Sequence, residues 1–529
     1  MKSGRSFAVL LVLAIFTLSV ALGGCAGDRG DGNGLVQADN GFALDLSPFA
    51  GEPAFGGELV VGIAQDLDSS LDPHRMVAAG TAGTREVLFN VFEGLVKPNP
   101  AGELIPAVAE SFTIDGAVYT FTLREGVAFH NGDPVTVEDV VFSIARAADD
   151  ESRATFVSAL SVVIRVEAVD ERTVEIEITE PDNEFLAHLT VAIIPKHHDD
   201  HDRNPVGTGP FRFVSHAPQE SLVMERFDEY WGQPAYLERV VFRIFGTGDM
   251  LPMALNAGAI DMAGRLTWDM LTQLSDEFYA LAGPMSVVQA LYLNHLVQPL
   301  DNLQVRQALN YAVDVQQIMD VLAGGRGYPT GSGIHPAFTR YFNEELVDFY
   351  PYNPERAREL LAEAGFPDGF DLVITVPSNY TPHVITAEIL VEQLRAVGVN
   401  ATIRLVEWTY WVSEVNTGRQ FEATVVGIAA RDLTARSMLE RFVSDNSRNM
   451  INFNSAEYDR VFWAARAATE EAMQVSLYRE LQAILAREAA NVYLQDMVHF
   501  VAIHRQIVGF QFYPIYVMDL APVHFVSQG

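Results

Sequence analysis

The single cysteine among the 529 residues is the feature that most limits how this chain can be held together. One thiol forms neither an intrachain disulfide nor a zinc site built on a pair of cysteines. The fold must therefore be stabilised by a hydrophobic core, and 49% hydrophobic with 20% charged residues is typical of a globular protein. The length is well above that of one typical domain and predicts two or three substructures.

The same residue, Cys25, closes a short apolar segment at the N-terminus. Lys2 and Arg5 precede residues 7–22, which are almost free of polar side chains and form a shorter run than most membrane-spanning helices. The sequence LGGC at residues 22–25 resembles the lipobox of bacterial lipoproteins, in which the thiol receives a diacylglycerol. We therefore predict a signal peptide over residues 1–24 and lipidation of Cys25. A plain signal peptide and an uncleaved anchor are the alternatives.

The charge balance is strongly acidic, with 69 Asp and Glu residues against 35 Lys and Arg residues and a net charge of −34. This balance argues against a nucleic acid or an anionic membrane bound through a broad basic surface. Residues 25–56 are rich in Gly and Asp and predict a flexible tether between the lipid and the folded body. We expect an extracytoplasmic protein on the periplasmic or cell-surface face, held to the membrane by the lipid alone.

The first half of the folded body reads as mixed α and β structure. Residues 59–63 predict a short buried strand, and residues 118–123 alternate apolar and polar side chains as a half-buried strand does. Thr136 precedes Asp139 by three positions, which predicts a capping box at the start of a helix.

The second half contains a strand-helix-strand pattern. Residues 372–376 and 402–406 predict strands, and residues 385–397 between them predict a helix, which together indicate parallel strands with a right-handed crossover. Earlier helices are predicted to start at Asp301, with a continuation that stops at Gly324 and Gly325, and at Asn353, with Pro354 in the first turn and Gly365 just past the end.

Several stretches together resemble the extracellular solute-binding family 5, the periplasmic binders of oligopeptides, dipeptides and nickel. The matches extend over roughly residues 57 to 520 and are specific only in combination. They are LIPAVAESF at 104–112 with YTF at 119–121, LREGVAFHNG at 123–132, EDVVFS at 138–143, GTGPF at 207–211, YWG at 230–232 and VRQALNYAVD at 305–314.

The resemblance implies an α/β, two-lobed periplasmic-binding-protein-like fold with crossing hinge strands and an extra subdomain on lobe one. Residues 291–294 and a segment near residues 501–504 are the candidate crossing strands. Such a hinge absorbs closure in a few residues while two rigid sheets move. The expected division is lobe one at 57–97, 204–290 and 503–529, the extra subdomain at 98–203, and lobe two at 291–502.

No enzyme motif survives inspection, because the chain has no HExxH, GxSxG or phosphate-loop sequence and no nucleophilic cysteine other than Cys25. We therefore predict no catalytic residues and no cofactor. Residues 195–202, PKHHDDHD, concentrate imidazole and carboxylate groups and are the best metal candidate. A solvated loop that returns to lobe one is the favoured interpretation, and no metal site is predicted.

Aromatic and polar residues near predicted strand ends are the candidate ligand contacts. Trp408 and Trp411 follow the strand that ends at residue 406, where aromatic faces suit a ligand pocket, although core packing is the alternative. Tyr292 lies on a predicted crossing strand. Ser69, in a polar loop, is a further candidate, and ordinary turn chemistry would also explain it.

Arg431 and Asp432 bear on ligand chemistry through the resemblance. Many peptide-binding members carry a Trp-x-x-Asp segment whose carboxylate pairs with the α-ammonium of the peptide. Alignment without gaps places Arg431 at the position of that carboxylate and Ile428 at the position of the tryptophan, with Asp432 one residue later. A surface turn is the alternative for both charged residues. The departure puts the standard peptide anchor in doubt.

The sequence therefore predicts a monomeric solute-binding receptor that captures a peptide or a peptide-sized solute and delivers it to the permease and ATPase complex of an ABC importer. An oligosaccharide, an opine-like molecule and a metal chelate remain alternative ligands. A protein that presents a bound signal to a membrane sensor is an alternative function, and a lipid-anchored hydrolase is a more distant one.

Overall fold

The computed structural model describes residues 49, 51–75, 81–149, 157–430 and 433–527. The predicted signal peptide, the lipidation site at Cys25 and the pair Arg431 and Asp432 lie outside these residues. Within the described ranges, no helix is both long enough and apolar enough to cross a membrane.

The described residues form twenty-two strands, most of them short. They are β1 (Pro53–Ala54), β2 (Glu58–Ile63), β3 (Val96–Pro98), β4 (Leu104–Pro106), β5 (Ala109–Asp115), β6 (Val118–Leu123), β7 (Val163–Ala168), β8 (Thr173–Ile178), β9 (Phe211–Ala217), β10 (Ser221–Arg226), β11 (Arg239–Ile244), β12 (Met262–Leu266), β13 (Phe278–Pro284), β14 (Val287–Leu293), β15 (Tyr328–Pro329), β16 (Phe370–Pro377), β17 (Val399–Val406), β18 (Ala423–Ala429), β19 (Asn491–Asp496), β20 (Val498–His504), β21 (Ile507–Val508) and β22 (His524–Val526).

Thirteen α-helices connect them in the described part of the chain. They are α1 (Thr81–Leu88), α2 (Val137–Ala148), α3 (Val157–Leu160), α4 (Leu251–Asn256), α5 (Trp268–Leu271), α6 (Leu303–Tyr311), α7 (Val315–Ala323), α8 (Pro354–Glu363), α9 (Thr381–Arg395), α10 (Trp408–Tyr410), α11 (Ala435–Leu439), α12 (Ala456–Ala467) and α13 (Glu471–Arg487). Short 3₁₀ turns occur at Phe185–Thr190, Gly248–Met250, Glu344–Leu346 and Glu440–Phe442, and Trp411–Thr417 is a π-helical segment.

Local sequence signals set several of these boundaries. β6 covers the predicted residues and buries alternate side chains. Thr136 and Asp139 form the predicted capping box at the start of α2, since each side chain accepts a hydrogen bond from the backbone of the other. Asn353 caps α8 with Pro354 in its first turn. These three predictions are confirmed.

The helix predicted from Asp301 was wrong in two respects. Asn302, one residue later, is the N-cap of α6, and the helix ends at Tyr311. Asp314 then accepts a hydrogen bond from the Gln317 backbone and starts α7 as a separate helix. Apolar periodicity continues through the break, so the sequence pattern alone does not reveal it. The predicted stop at Gly324 is confirmed, because that residue ends α7 in the left-handed conformation.

Lobe one contains a seven-stranded sheet in the order β13-β20-β12-β2-β11-β10-β9. Its centre is parallel, since β2 pairs in parallel with both β11 and β12. A small sheet, β1-β22-β21, joins the two ends of the described chain. Residues 53–54 pair with residues 525–526, so the folded body includes part of the segment predicted as a tether up to residue 56.

Lobe two contains a six-stranded sheet in the order β15-β19-β14-β18-β16-β17. β16 pairs in parallel with β17 and β18, and α9 forms the crossover between β16 and β17, which confirms the predicted strand-helix-strand unit. An extra subdomain has its own antiparallel sheet, β5-β6-β8-β7, with its own apolar core.

Two chain segments cross between the main sheets. β13 belongs to the first sheet and β14 to the second, and they are joined by residues 284–287; β19 and β20 are joined in the same way by residues 496–498. The stretches predicted as crossing strands, 291–294 and 501–504, lie several residues from these crossings, at the ends of β14 and β20 that point away from them.

Candidate ligand-binding cleft

Both main sheets direct the carboxyl ends of their parallel strands toward the crossing segments. On lobe one, β12 ends at Leu266, opposite Phe500 near the start of β20. On lobe two, β16 ends level with the end of β17, and β18 ends at Ala429 opposite Val287. Ligand sites in open α/β sheets form outside the carboxyl ends of the strands. The candidate ligand site therefore lies at the edge of each sheet that faces the crossing segments.

Arg265 is the principal charged group on the lobe-one side. It lies near the end of β12, its side chain is 39% exposed, and its Nη2 donates a hydrogen bond to Oε2 of Glu86 on α1 at 2.6 Å. The guanidinium carbon stands 5.2 Å from the centre of the Tyr516 ring. The negative charge of Glu86 raises the pKa of Arg265, so the group is cationic at any physiological pH.

The backbone of Arg265 has a φ of 58°. Non-glycine residues rarely adopt this left-handed conformation, which costs free energy and is found most often at functional sites. The preceding residue, Gly264, allows the ring of His499 to approach, since a Cβ there would stand 3.1 Å from its Nε2. Glu86 and Tyr516, which contact the guanidinium of Arg265, line the same crevice as His499.

His499 is 8% exposed, and its Nε2 has no hydrogen-bond partner among the described residues. Burial lowers the pKa of His499 to about 4; the negative charge of Glu86 opposes this shift, and the positive charge of Arg265 adds to it. The imidazole is therefore neutral near pH 7. In the tautomer that carries the proton on Nε2, it offers one donor without adding a charge.

An apolar crevice surrounds these polar groups and runs along the first crossing segment. Glu86 and His499 contribute to its wall, as does Tyr513, whose hydroxyl donates to Asp519 at 2.7 Å. A few convergent polar groups in an apolar concavity are the usual composition of a small-molecule site. The apolar wall consists of Pro284, Met285, Phe510, Phe512, Tyr513, Ile515, Tyr516 and Val517.

Aromatic side chains form the lobe-two side. Trp408 stacks on Trp411 with ring centres 5.1 Å apart and planes 6° from parallel, and Tyr380 meets Trp408 edge-on at 5.2 Å. Burial raises the pKa of Tyr380, and the positive charge of Arg265 partly offsets this increase. Tyr380 therefore lies within electrostatic range of Arg265.

The two tryptophans predicted as ligand contacts occupy different environments. Trp411 is 5% exposed, and its indole nitrogen donates to Thr424 Oγ1 at 3.0 Å, so it anchors the aromatic group to β18. Trp408 is half-buried and covers one face of Trp411. Of the pair, Trp408 presents more surface to a ligand.

The remaining predicted site residues lie elsewhere. Tyr292 is 2% exposed in the core of lobe two, and its hydroxyl donates to the Val288 carbonyl at 3.0 Å, which gives it a packing role. Ser69 is exposed in the loop between β2 and α1. Their ligand contacts stay predictions. The sequence analysis did not predict five residues of this site, because nothing in their local sequence distinguishes them from ordinary strand, helix and loop residues. They are Glu86, Arg265, Tyr380, His499 and Tyr516.

The histidine-rich loop places two imidazoles together. The rings of His198 and His201 are 4.7 Å apart, and His198 Nε2 bonds to the Asn204 carbonyl at 2.7 Å. Across the described ranges, no group of three or more His, Cys, Asp or Glu side chains is arranged to hold a metal ion.

A buried carboxylate braces the crossing segments. Asp496 is fully buried and accepts hydrogen bonds from the backbone nitrogens of Ser286 at 3.2 Å and Val287 at 3.0 Å. Burial raises its pKa well above the usual range, although these hydrogen bonds oppose the shift. One side chain thus ties the end of β19 to the start of β14.

A second contact joins the lobes through residues that are distant in sequence from the crossing segments. It consists of Asp182, Glu184, Arg436 and Tyr478, which we name the rim cluster. Arg436 on α11 pairs with Asp182 of the extra subdomain at 2.6 Å, and its backbone nitrogen donates to Glu184 at 3.3 Å. The hydroxyl of Tyr478 on α13 donates to the same glutamate. Burial raises the pKa of Glu184 to about 7, although Arg436 opposes this.

Residues 103–450 match the family described as bacterial extracellular solute-binding proteins, family 5. Heme-binding protein A of Haemophilus influenzae is 29% identical over 450 residues, which cover 77% of this chain and 82% of that protein. The glutathione-binding protein GsiB of Salmonella typhimurium is 27% identical and covers 85% and 90%.

Among solved structures, the ABC transporter-associated periplasmic binding protein DppA of Helicobacter pylori, in complex with the peptide STSA, matches with a TM-score of 0.75 at 25% identity, over 90% of this chain and 99% of that one. These relatives are binding proteins and not enzymes. The chain belongs to the bacterial extracellular solute-binding proteins of family 5, which capture solutes for ABC importers.

Proposed function

We propose that this protein captures a peptide or a peptide-sized solute between its lobes and delivers it to the permease and ATPase of an ABC importer. The observation that carries the proposal is the convergence of Arg265, His499 and Tyr516 from lobe one with Tyr380 and Trp408 from lobe two. The names of the relatives, which bind a peptide and glutathione, support a ligand of this size.

Capture by closure follows from two rigid sheets joined at residues 284–287 and 496–498. A ligand that contacts both lobes stabilises the arrangement in which they are close, and an importer distinguishes that arrangement from the open one. Small-angle scattering should give a smaller radius of gyration with ligand than without. An unchanged radius at saturating ligand would count against a gating hinge.

The ligand itself is best identified on protein purified without denaturation. Native mass spectrometry should show a mass above that of the chain if a ligand co-purifies, and fragmentation gives its composition. Calorimetry with a tripeptide mixture then tests the peptide assignment. The absence of binding to any peptide, together with a retained non-peptide ligand, would leave solute capture standing and refute the peptide. Because one relative is named for heme, hemin belongs in the same series.

A lipid anchor on Cys25 is the proposed link to the membrane, supported by the LGGC sequence at residues 22–25 after the apolar segment. Cys25→Ser should abolish incorporation of a labelled fatty acid and release the protein from the membrane fraction. Incorporation of the label into this variant would refute the anchor. The native chain and a Ser19→Ala variant serve as controls.

Arg431 and Asp432 bear on how a peptide N-terminus would be treated. A guanidinium in place of a carboxylate repels an α-ammonium, by roughly 4 kcal/mol at 4 Å for an effective dielectric constant of 20. If Arg431 faces the ligand, N-acetylation of a bound peptide should be tolerated. Loss of binding on acetylation, reproduced by Asp432→Ala, would instead make Asp432 the anchor for the N-terminus.

A further inference from the structure

The guanidinium of Arg265 has more N–H donors than its hydrogen bond to Glu86 uses. Within the described residues, Nη2 bonds to Glu86, and the guanidinium carries five N–H donors in a planar fork that suits a carboxylate. At 39% exposure, the group is reachable from the cleft. The pair with Glu86 holds the guanidinium in place without occupying its other edge.

His499 supplies an independent observation at the same place. Its Nε2 has no partner in the described structure although the side chain is 8% exposed, and that nitrogen lies against Gly264, the residue before Arg265. Buried polar atoms are normally hydrogen-bonded, and an exception calls for a missing partner. A neutral imidazole next to a cation is suited to donate to an anion.

Backbone strain points the same way. Position 265 has a φ of 58°, which glycine adopts at little cost and arginine does not. The fold alone would be served better by glycine, so the guanidinium itself accounts for the arginine. The ion pair with Glu86 does not by itself explain an arginine at this position. If neutral residues replaced both members of the pair, no uncompensated charge would be left at this site.

The aromatic residues around Arg265 and His499 restrict the chemistry of the rest of a ligand that carries an anionic group. Tyr516 lies under the guanidinium, with Phe512 5.6 Å from His499 between ring centres, and Tyr380 and Trp408 lie on the opposite lobe. An acid attached to a hydrated, highly polar body would lose hydration against these rings. An acid attached to an apolar or aromatic body would not.

We propose that Arg265 and His499 bind a carboxylate of the solute, and that this site selects acids with an apolar or aromatic body. The carboxylate takes the edge of the guanidinium that Glu86 leaves open, and His499 donates to its second oxygen. The body of the ligand extends toward Tyr380 and Trp408. This assignment rests on the proposed capture of a solute between the lobes and gives its chemical class.

The test is affinity selection from a defined mixture. The probe is an equimolar set of tripeptides ending in Phe, Leu or Ala, each as the free acid and as the C-terminal amide, with 3-phenylpropionate and its amide. Bound molecules are separated with the full chain and quantified by mass spectrometry. We expect the wild type to retain acids over matched amides by roughly tenfold or more, since a charge-assisted bidentate pair is lost in the amide.

Three variants test which residues cause the preference for acids over amides. Arg265→Gln should bring the acid-to-amide ratio close to one, and His499→Phe should reduce it. Arg326→Gln removes another arginine that covers an aromatic ring, Trp268 at 4.6 Å, and should leave the ratio unchanged. If Arg265→Gln does not fold because Glu86 is left buried without its partner, the double variant Glu86→Gln/Arg265→Gln removes both charges and gives the same readout.

The outcomes separate this proposal from the broader one. Retention of acids and amides alike by the wild type overturns carboxylate selection and leaves solute capture standing. An acid preference that survives in both Arg265 variants also overturns it, since another group must then hold the carboxylate. Retention of no member of the set overturns both carboxylate selection and peptide capture.

Discussion

Two regions join the lobes, and they do so by opposite means. At the crossing segments, the chain itself passes between the sheets, and the fully buried Asp496 of one segment accepts hydrogen bonds from the main chain of the other. At the rim cluster, the contact is made by side chains from distant parts of the sequence, Asp182 and Glu184 on one side and Arg436 and Tyr478 on the other.

The difference separates two tasks. The hinge contact lies within the crossing segments and can persist while the lobes separate, because both of its partners move little relative to each other. The rim cluster joins the extra subdomain to lobe two and must break when they part. We infer that Asp496 maintains the fold, whereas the rim cluster sets how much of the closed arrangement exists without ligand.

The largest expected effect comes from Asp496→Ala. The substitution leaves the buried backbone nitrogens of Ser286 and Val287 without acceptors. We expect the free energy of unfolding to fall by about 3 to 5 kcal/mol, measured by denaturant titration. Asp496→Asn keeps one of the two oxygen acceptors that Ser286 and Val287 use and should cost less than Asp496→Ala. Equal losses in the two variants would show that acceptance of these hydrogen bonds is not what Asp496 contributes.

Arg436→Gln should act on closure more than on folding. It leaves Asp182 and the buried Glu184 without their cation, and breaking such a pair costs about 2 to 4 kcal/mol. The protein can avoid that cost by opening, so the ligand-free radius of gyration should increase. Arg358→Gln is the control, since its pair with Glu355 is exposed and within lobe two. A radius unchanged in Arg436→Gln would mean that the rim cluster does not hold the lobes.

The pH dependence of closure should be smaller and of definite sign. Glu184 has an ordinary pKa of 4.5 in the open protein and about 7 in the cluster, so the closed form binds the proton more tightly. Its contribution to closure is fully present below about pH 4.5 and is lost as the pH rises through about 7, by about 1 to 2 kcal/mol after allowance for relaxation.

The groups that face Glu184 are Asp182, Arg436, Tyr478 and Tyr341, and Nε2 of His188 lies 3.5 Å from Nη2 of Arg436. Scattering without ligand, recorded from pH 5 to 8, should show the radius rising with pH. The matched variant Glu184→Gln should flatten the profile. A wild-type profile that is already flat, or one that falls with pH, would contradict the assignment.

The smallest effect is expected at the edge of the rim cluster. Arg466 and Glu180 also join the two sides, but they are 3.7 Å apart and their side chains are 37% and 63% exposed. Exposed pairs contribute roughly 0 to 1 kcal/mol, so Arg466→Gln should change neither the radius nor the free energy of unfolding beyond about 0.5 kcal/mol. A change as large as that of Arg436→Gln would extend the cluster to this pair.

The sequence predicts local structure well where side chains and backbone interact over a few residues. The alternation in β6, the capping box of Thr136 and Asp139, and the cap at Asn353 depend on neighbours in the chain. The crossing points were misplaced because β14 and β20 are buried along almost their whole length, and nothing in such a strand marks where the chain leaves one sheet for another.

The site was harder to predict for a related reason. Glu86, Arg265 and His499 are brought together by the pairing of β12 with β2 and β20, which no local pattern encodes. The two tryptophans were found as a pair, yet only the structure shows that Thr424 anchors Trp411 and leaves Trp408 more exposed. In a chain with 69 acidic residues, Asp182 and Glu184 carried no signal at all.

The position of β20 in the first sheet determines the order in which the two halves can mature during synthesis. β20 lies between β13 and β12, so the first sheet is split until residue 504 has been made, and β22 closes its small neighbouring sheet only at residue 526. The second sheet uses residues 287–496 in one uninterrupted stretch. Lobe two can therefore complete its hydrogen bonding while β13 and β12 of lobe one still await the strand that joins them, and those strands need protection from wrong pairing in the interval.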